Sequence, residues 1–445
     1  MDLDETDDPT AKWLSITGQP LDLDLPNGFF GSCTPVSDFT RLNQLGEGSK
    51  NALETHPEIR FQHPNVPPPA YGVVSRAQDT RTSKIIALKQ VRIGEQERRD
   101  GIPITALREI SILRSLNHPN VVDVFDVAVG AGSLPPPRGE RAKAHSPLDE
   151  IHMVMEYAEQ DLANLMDELG VTYRLSEVKC LFRQLLEGLE YLHRNDIIHR
   201  DLKLQNLLLT SRGVLKIADF GMARVYSPRP LTAGVVTIWY RAPEILLGTS
   251  RYDPSIDLWS AGLILGELLL SEPILPGERT LEQLALTVKL LGTPTKSDLA
   301  SYSAMGCPEL ISWQRDSLVH GRVDNLERHF RDRTSPQTVS VLTGLLRWDP
   351  HARWTASEGL GKGRSKSAEQ AERWWRESPR EIGRELMPTF PEVRNEQRVE
   401  ELPAGGSRGI DAASGKHENE GYVFDFGGEA TIASGRGDPK RHRAW

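Results

Sequence analysis

A chain of 445 residues, 38% of them hydrophobic, exceeds one compact core and carries enough apolar side chains to fill two lobes or domains. Its 53 basic and 62 acidic residues leave a net charge of -9, which argues against a broad nucleic-acid-binding face. Cys33, Cys180 and Cys307 lie far apart and outside any CxxC spacing, so neither a disulfide framework nor a zinc site is expected, and the compartment reads as reducing.

Residues 1–38 open acidic (MDLDETDDPT), unlike a basic signal or Arg-rich transit peptide, and read as a solvated leader of a cytosolic or nuclear protein. Strand-like runs follow at Thr40–Leu45, Tyr71–Gln78 and Lys84–Arg92, and Ile104–Leu116 then sets Ile104, Leu107, Leu113 and Leu116 at helical spacing. Strands return at Val121–Val129 and Ile151–Tyr157, separated by the Gly/Pro/Arg-rich stretch Gly130–Ser146, a loop insert. The character then changes. Ser176 can cap a helix in which Val178, Leu181, Phe182, Leu185, Leu186, Leu189 and Leu192 share one face. A short strand is expected at Val214–Ile217, and helices at Ser255–Leu270, Leu281–Leu291 and Ser335–Leu346. The most apolar run, Ala261–Leu275, holds Glu267 and Glu272 and falls short of the roughly 20 apolar residues of a membrane span, so it reads as a buried helix. Gly361–Arg373 is basic and helix-prone and reads as a surface loop; its GKGRSK lacks the order of a P-loop. The domain division that results is a leader (1–38), a β-rich lobe with inserts (39–157), a helical lobe (158–392) and a disordered tail (393–445) holding Tyr422–Phe426 (YVFDF) and a basic PKRHR end that hints at nuclear import.

The chemistry concentrates in a few segments. His199–Asn206 reads HRDLKLQN: Asp201 is a carboxylate able to take a hydroxyl proton, Lys203 an ammonium able to steady a phosphate, and Asn206 a neutral oxygen for Mg²⁺. Asp219 opens DFG just after Val214–Ile217 and supplies a hard anionic oxygen for the same metal. Earlier, Lys89 ends the strand run Ala87-Leu88-Lys89, and Glu109 on the following helix can pair with it. Singly, each has an ordinary explanation as a surface charge, turn residue or cap. In this order and spacing, followed by Ala242-Pro243-Glu244, they point together to phosphoryl transfer.

On these residues the chain resembles the eukaryotic protein kinases over most of its length, and specifically the cyclin-dependent kinases. Pro103–Glu109 reads PITALRE, like the cyclin-binding helix of that family; with Val127–Gly130 (VAVG), Glu159–Met166 (EQDLANLM) and the ending Leu386–Asn395 (LMPTFPEVRN) it is most similar to the PISSLRE and PITSLRE branch, which holds cyclin-dependent kinases 10 and 11. The resemblance implies an α+β, two-lobe protein kinase fold, with a small β-rich N-lobe carrying one αC helix and a larger helical C-lobe. It implies ATP and Mg²⁺ as cofactors, a cyclin partner, protein substrates with Ser/Thr-Pro sites, and a nuclear role in transcription or cell-cycle control; no nucleic acid or membrane is expected as partner. It places Leu45, Val74, Ala87 and Leu208 around adenine, Met155 behind it, Glu156 and Ala158 as backbone partners, and Asp161 and Gln205 near the ribose. Gly46, Gly48 and Gly72 match the Gly-rich loop, Thr232 the activation-loop phosphosite, and Arg108, Arg200 and Arg224 the arginines that would clamp its phosphate. Val235 and Val236 match the pocket for the substrate proline, and Thr237 the threonine that braces Asp201 and Lys203. Glu244, Arg353 and Asp257 match buried polar braces of the helical lobe.

The chain departs from that pattern at the Gly-rich loop. After Gly46-Glu47-Gly48-Ser49, Lys50–Ala70 (KNALETHPEIRFQHPNVPPPA) intrudes before Tyr71-Gly72-Val73-Val74, far beyond the roughly 2 to 5 residues of ordinary hairpin loops. Ser49-Lys50 can be encoded with a GTAAG donor and Pro69-Ala70 with an AG acceptor. Excision would leave one Thr in the in-frame sequence GEGTYGVV, so the segment reads as a retained intron. Were the insert real, the contrasting reading would be a pseudokinase-like scaffold that binds a cyclin but not ATP. A mitogen-activated kinase is set aside because Thr232-Ala233-Gly234 lacks its Thr-x-Tyr.

Overall fold

The computed structural model describes residues 33–47, 71–91, 104–130, 151–226, 238–317 and 325–388, all within one compact unit, Met1–Val399. The first lobe is built on strands β1 (Thr34–Pro35), β2 (Phe39–Glu47), β3 (Tyr71–Asp79), β4 (Ile85–Val91), β5 (Val124–Val129) and β6 (Ile151–Glu156), in the spatial order β1-β5-β6-β4-β3-β2. Helix α1 (Ile104–Arg114) follows β4 in the chain. The two-residue rhythm of β4 gives the sheet its two faces. Ile86 and Leu88 pack with Phe39, Ala77, Ala128 and Val154 on one face. Ala87 joins Met153 and Met155 on the opposite face, which belongs to the main core, and Lys89 follows Ala87 on that same face.

Order begins earlier than Phe39. Thr34 and Pro35 pair in parallel with Ala128 and Val129, capping the open edge of β5, and the Thr80 N–H donates to the Asp38 carbonyl at 2.9 Å. The leader therefore gives up residues 33–38 to the lobe. The rest of it, Lys50–Ala70, all of Gly130–Ser146 but Gly130, and the tail lie outside the described residues.

The second lobe starts with β7 (Gln160–Asp161) and α2 (Leu162–Asp167), then turns on α3 (Leu175–Arg194), whose apolar stripe, Val178, Leu181, Phe182, Leu185, Leu186, Leu189 and Leu192, is wholly buried. Each such leucine contributes about 1.5–3 kcal/mol by leaving water. Ser176 is not the cap: Arg174 occupies that position, and its N–H donates to Glu177 Oε2 at 2.7 Å, a carboxylate placed to reach back from the first turn. Gly188 lets α3 lie against a strand, since a Cβ there would sit 2.7 Å from Ile217 Cδ1.

Short strands β8 (Ile197–Ile198), β9 (Leu207–Leu209), β10 (Leu215–Ile217) and β11 (Arg224–Val225) cross the front of α3; β9 pairs with β10 and with β7, and β11 with β8. Behind them pack α4 (Pro243–Leu246), α5 (Ser255–Leu270), α6 (Thr280–Leu291), α7 (Lys296–Ala304), α8 (Leu310–Ser317), α9 (Leu326–Phe330), α10 (Pro336–Leu345), α11 (Ala356–Gly359) and α12 (Lys366–Arg376). The apolar run Ala261–Leu275 is helical only to Leu270: Ser271 takes φ 57°, and Pro273 could not continue the ladder. Gly361–Arg373 is a surface loop only as far as Ser365. Ser365 caps α12 by accepting the Ala368 N–H at 3.1 Å, and Ala368, Ala371, Trp374 and Trp375 form a buried stripe. Among the described residues no helix is long and apolar enough to cross a membrane, and all three cysteines are free thiols.

Candidate active site

The segment between β8 and β9 is held from below. Asp257, at the start of α5, accepts the N–H groups of His199 and Arg200, each at 2.9 Å, and lies 3.0 Å from His193 Nε2. Those bonds hold Arg200 at φ 72°, a left-handed conformation costly for a side chain of that size. His199 is fully buried, donates from Nε2 to the Ala218 carbonyl at 3.0 Å and meets the edge of Phe220 at 4.9 Å. With the chain so pinned, Asp201, Lys203 and Asn206 converge. Lys203 Nζ donates to Asp201 Oδ2 at 3.0 Å, and Asn206 Nδ2 donates to the Asp201 carbonyl at 2.7 Å and to Oδ2 at 3.1 Å.

Asn206 precedes β9 and Asp219 follows β10, both at the open end of that hairpin, where the Ala218 N–H donates to the Asn206 carbonyl at 2.9 Å. Asp219 also adopts a left-handed conformation, φ 62°, which turns its carboxylate away from the strand. Lys89 meets it there: Nζ donates to Asp219 Oδ1 at 2.9 Å and to Glu109 Oε1, on α1, at 3.2 Å. Burial works against both charges. For Lys89 it is outweighed by Asp219 and Glu109, which drive the pKa up; for Asp219 it is outweighed by Lys89, which holds the carboxyl at about 2.

Several of the expected base-binding residues border the main core. Met155 and Ala87 are buried cross-strand partners, while Leu45, Val74 and Leu208 are partly buried against the main core. The Glu156 N–H donates to the Asp123 carbonyl at 2.9 Å and its side chain pairs with Lys216 at 2.6 Å, so a role toward a base falls to its carbonyl. Ala158 is half-buried, Gln205 is exposed, and Asp161 caps α2 by accepting the Asn164 N–H at 2.8 Å. Gly46 pairs with Val74, and Gly72 lies in β3.

Of the proposed clamp, Arg108 is half-buried on α1. Arg200 donates to the Met222 carbonyl and to the Tyr252 hydroxyl, both at 2.6 Å, and Arg224, opposite Ile198 in the β8–β11 pair, donates to the Ala223 carbonyl at 2.8 Å. Gly48, Thr232, Val235, Val236 and Thr237 lie outside the described residues. The brace Glu244–Arg353 is a fully buried two-point ion pair, 2.6 and 2.7 Å, with the guanidinium 5.0 Å over the Trp259 ring.

Three participants had no signal in the spacing of the motifs. Arg241 lines a cleft beside Asp201 with Arg200, Tyr240 and Tyr252; burial pulls its pKa down to about 10, against the pull of Asp201. Tyr240 donates to Glu267 at 2.6 Å. Lys216 ties the hairpin to Glu156.

Comparison with known proteins identifies the family. The Protein kinase domain family model matches residues 69–362, beginning two residues before Tyr71, where the Gly-rich loop resumes. Cyclin-dependent kinase 10 of Mus musculus is 38% identical over 385 residues, covering 86% of this chain and 92% of that protein. Cyclin-dependent kinase G-2 of Oryza sativa subsp. indica is 39% identical over 398 residues, covering 85% of this chain and 49% of that protein. Among solved structures, the yeast RNA Pol II CTD kinase CTDK-1 complex contains a chain with 35% identity and a TM-score of 0.59, the match covering 70% of this chain and 92% of that one. A family model that spans most of the chain and a relative aligned over 92% of its own length at 38% identity settle the membership: this chain belongs to the protein kinase family and, within it, to the cyclin-dependent serine/threonine kinases.

Proposed function

We propose that the chain transfers the γ-phosphoryl group of ATP to Ser/Thr-Pro sites in nuclear proteins, in transcription or cell-cycle control, when a cyclin covers α1 and Thr232 is phosphorylated. The observation that carries this reading is the convergence of Lys203 and Asn206 on Asp201, opposite a Lys89 that bridges Glu109 and Asp219. Asp201 is the carboxylate placed to take the substrate hydroxyl's proton at Oδ, and Lys203 orients it and offers positive charge to the group in transfer. Lys89 is the ammonium for the α- and β-phosphates, fixed by Glu109 rather than mobile on the surface.

The donor set fits Mg²⁺. Asn206 spends its amide nitrogen on Asp201, which leaves the amide oxygen for a cation, and Lys89 holds the Asp219 carboxyl down at about 2, so these two residues would offer hard oxygens to the metal. Bound there, the metal supplies neutralising charge to the phosphates. On α1 the outward Leu107 is an exposed leucine on the PITALRE face, which supports a protein partner there, and Glu109 points inward from the same turn. Nothing among the described residues favours a scaffold without chemistry, since Lys89 bonds Asp219 and Asn206 bonds Asp201.

The test is to purify the chain with its co-purifying cyclin and assay a Ser-Pro peptide. Asp201→Asn should lower kcat by about 10²–10⁴-fold with little change in KM for ATP. Turnover by that variant equal to the parent's would overturn the mechanism.

A further inference from the structure

The chain that follows α12 returns across α3 to the hairpin that carries Asn206 and Asp219. Its path is fixed at successive points on one face of the helix. Lys179, fully buried on α3, spends its three ammonium hydrogens on the carbonyls of Trp374, Glu377 and Pro379, at 2.7, 2.9 and 3.0 Å. One turn on, Arg183 bonds Glu381 and stacks 4.1 Å over the Trp375 ring, and at the start of the helix the Ser176 carbonyl accepts the Ile382 N–H at 3.3 Å. A further turn on, Glu187 pairs with Arg384 at 3.2 Å.

These anchors deliver Arg384 and Met387 onto the turn joining β9 to β10. Gly213 sits there at φ 72°, and a Cβ at that position would lie 2.2 Å from the Arg384 carbonyl oxygen and 2.7 Å from Met387 Cβ. Met387 is buried. From the other side, Gln184 donates to the Gly213 carbonyl at 3.1 Å and accepts the Leu215 N–H at 3.0 Å, so the turn is gripped between α3 and the returning chain. Both ends of the hairpin lead directly into the oxygen donors, Asn206 before β9 and Asp219 one residue beyond Ala218.

We propose that residues 377–387 form a brace that sets the metal-binding geometry of the hairpin, with Met387 and Arg384 as positioning residues for Asn206 and Asp219. The brace rests on the kinase reading for what the hairpin binds, but not for its own contacts. Partners behind a set of metal ligands act by fixing ligand orientation, and their loss typically weakens metal binding by about 10-fold or more.

The experiment measures Mn²⁺ affinity by electron paramagnetic resonance, in the full chain with its cyclin and a non-hydrolysable ATP analogue. Met387→Ala should weaken Mn²⁺ binding about 10-fold, Met387→Leu should retain it, and analogue affinity without metal should stay at the parent's value in both. Were Met387→Ala not to fold, Arg384→Glu should show the same weakening and the exchange Arg384→Glu with Glu187→Arg should restore it. A Met387→Ala or Arg384→Glu protein that melts earlier yet binds Mn²⁺ like the parent overturns the brace and leaves the kinase reading intact. A parent that binds metal and analogue but transfers no phosphate would sink the kinase reading and leave the brace standing.

Discussion

Glu267 is a carboxyl enclosed by the helical lobe, 6% exposed, with the Tyr240 hydroxyl donating to it at 2.6 Å. Burial pushes its pKa up to about 7, the Tyr240 hydrogen bond opposes this, and the negative charge of Asp167 adds to it. Because the folded value lies above the ordinary 4.5, the folded chain holds a proton that the unfolded chain releases. The stabilising contribution is complete below pH 4.5 and is lost as pH rises through about 7. Glu267→Gln, which keeps an acceptor for Tyr240, should therefore melt like the parent at about pH 5 and above it at about pH 8; melting curves that stay parallel across that range would refute the assignment. Such a pair is invisible in the sequence, since its members are 27 residues apart and obey no spacing rule. Asp201, Lys203 and Asn206 were legible because a single short loop must carry all three, so their spacing is itself the chemistry.

The strand and helix elements divide along the same line. Where an apolar face repeats over several turns, as in α3 and α5, burial and periodicity agree and the sequence places the helix; α5 runs Ser255–Leu270 as the pattern predicts. Helix α7 buries only Tyr302 and stands on its Thr295–Asp298 capping box, so it has no apolar period to show, and the basic exposed face of α12 masks two alanines and two tryptophans beneath. At the Gly-rich loop, register is more informative than composition. Glu47 pairs with Val73 and Gly46 with Val74, so the two arms are aligned as one hairpin despite the residues between them. Replacing Ser49–Ala70 by a single Thr leaves Gly48, Thr, Tyr71 and Gly72 between the paired ends, within the roughly 2 to 5 residues that a hairpin loop favours. That variant should close over the phosphates and raise kcat/KM for ATP by about 10-fold or more, as backbone donors are restored to the anion. Equal catalytic efficiency with and without the segment would show that the loop tip plays no part in binding ATP.

Across the whole molecule, one ammonium reports how the lobes are set. Lys89, from the sheet, bonds Glu109 on α1 and Asp219 from the helical lobe, so a shift of α1 or of the second lobe breaks one of its bonds. The paired strands β8 and β11 set Arg224 against Ile198, two residues before Arg200, and Arg108 rides on α1 beside Glu109. A phosphate on Thr232 would then join arginines from α1, from the catalytic segment and from β11, three elements of two lobes, through charge-assisted hydrogen bonds. Arg200 already donates to the Met222 carbonyl and Tyr252 hydroxyl, so phosphate binding there completes a constrained guanidinium instead of recruiting a loose one. With the cyclin bound, Thr232→Ala should lower kcat by about 10- to 100-fold, the worth of one or two such bonds. Arg108→Ala should cost a similar factor, and the double variant no more than either alone, because both changes remove the same interaction. Full activity in Thr232→Ala, or losses that multiply in the double variant, would show that the lobes are aligned by something other than this clamp.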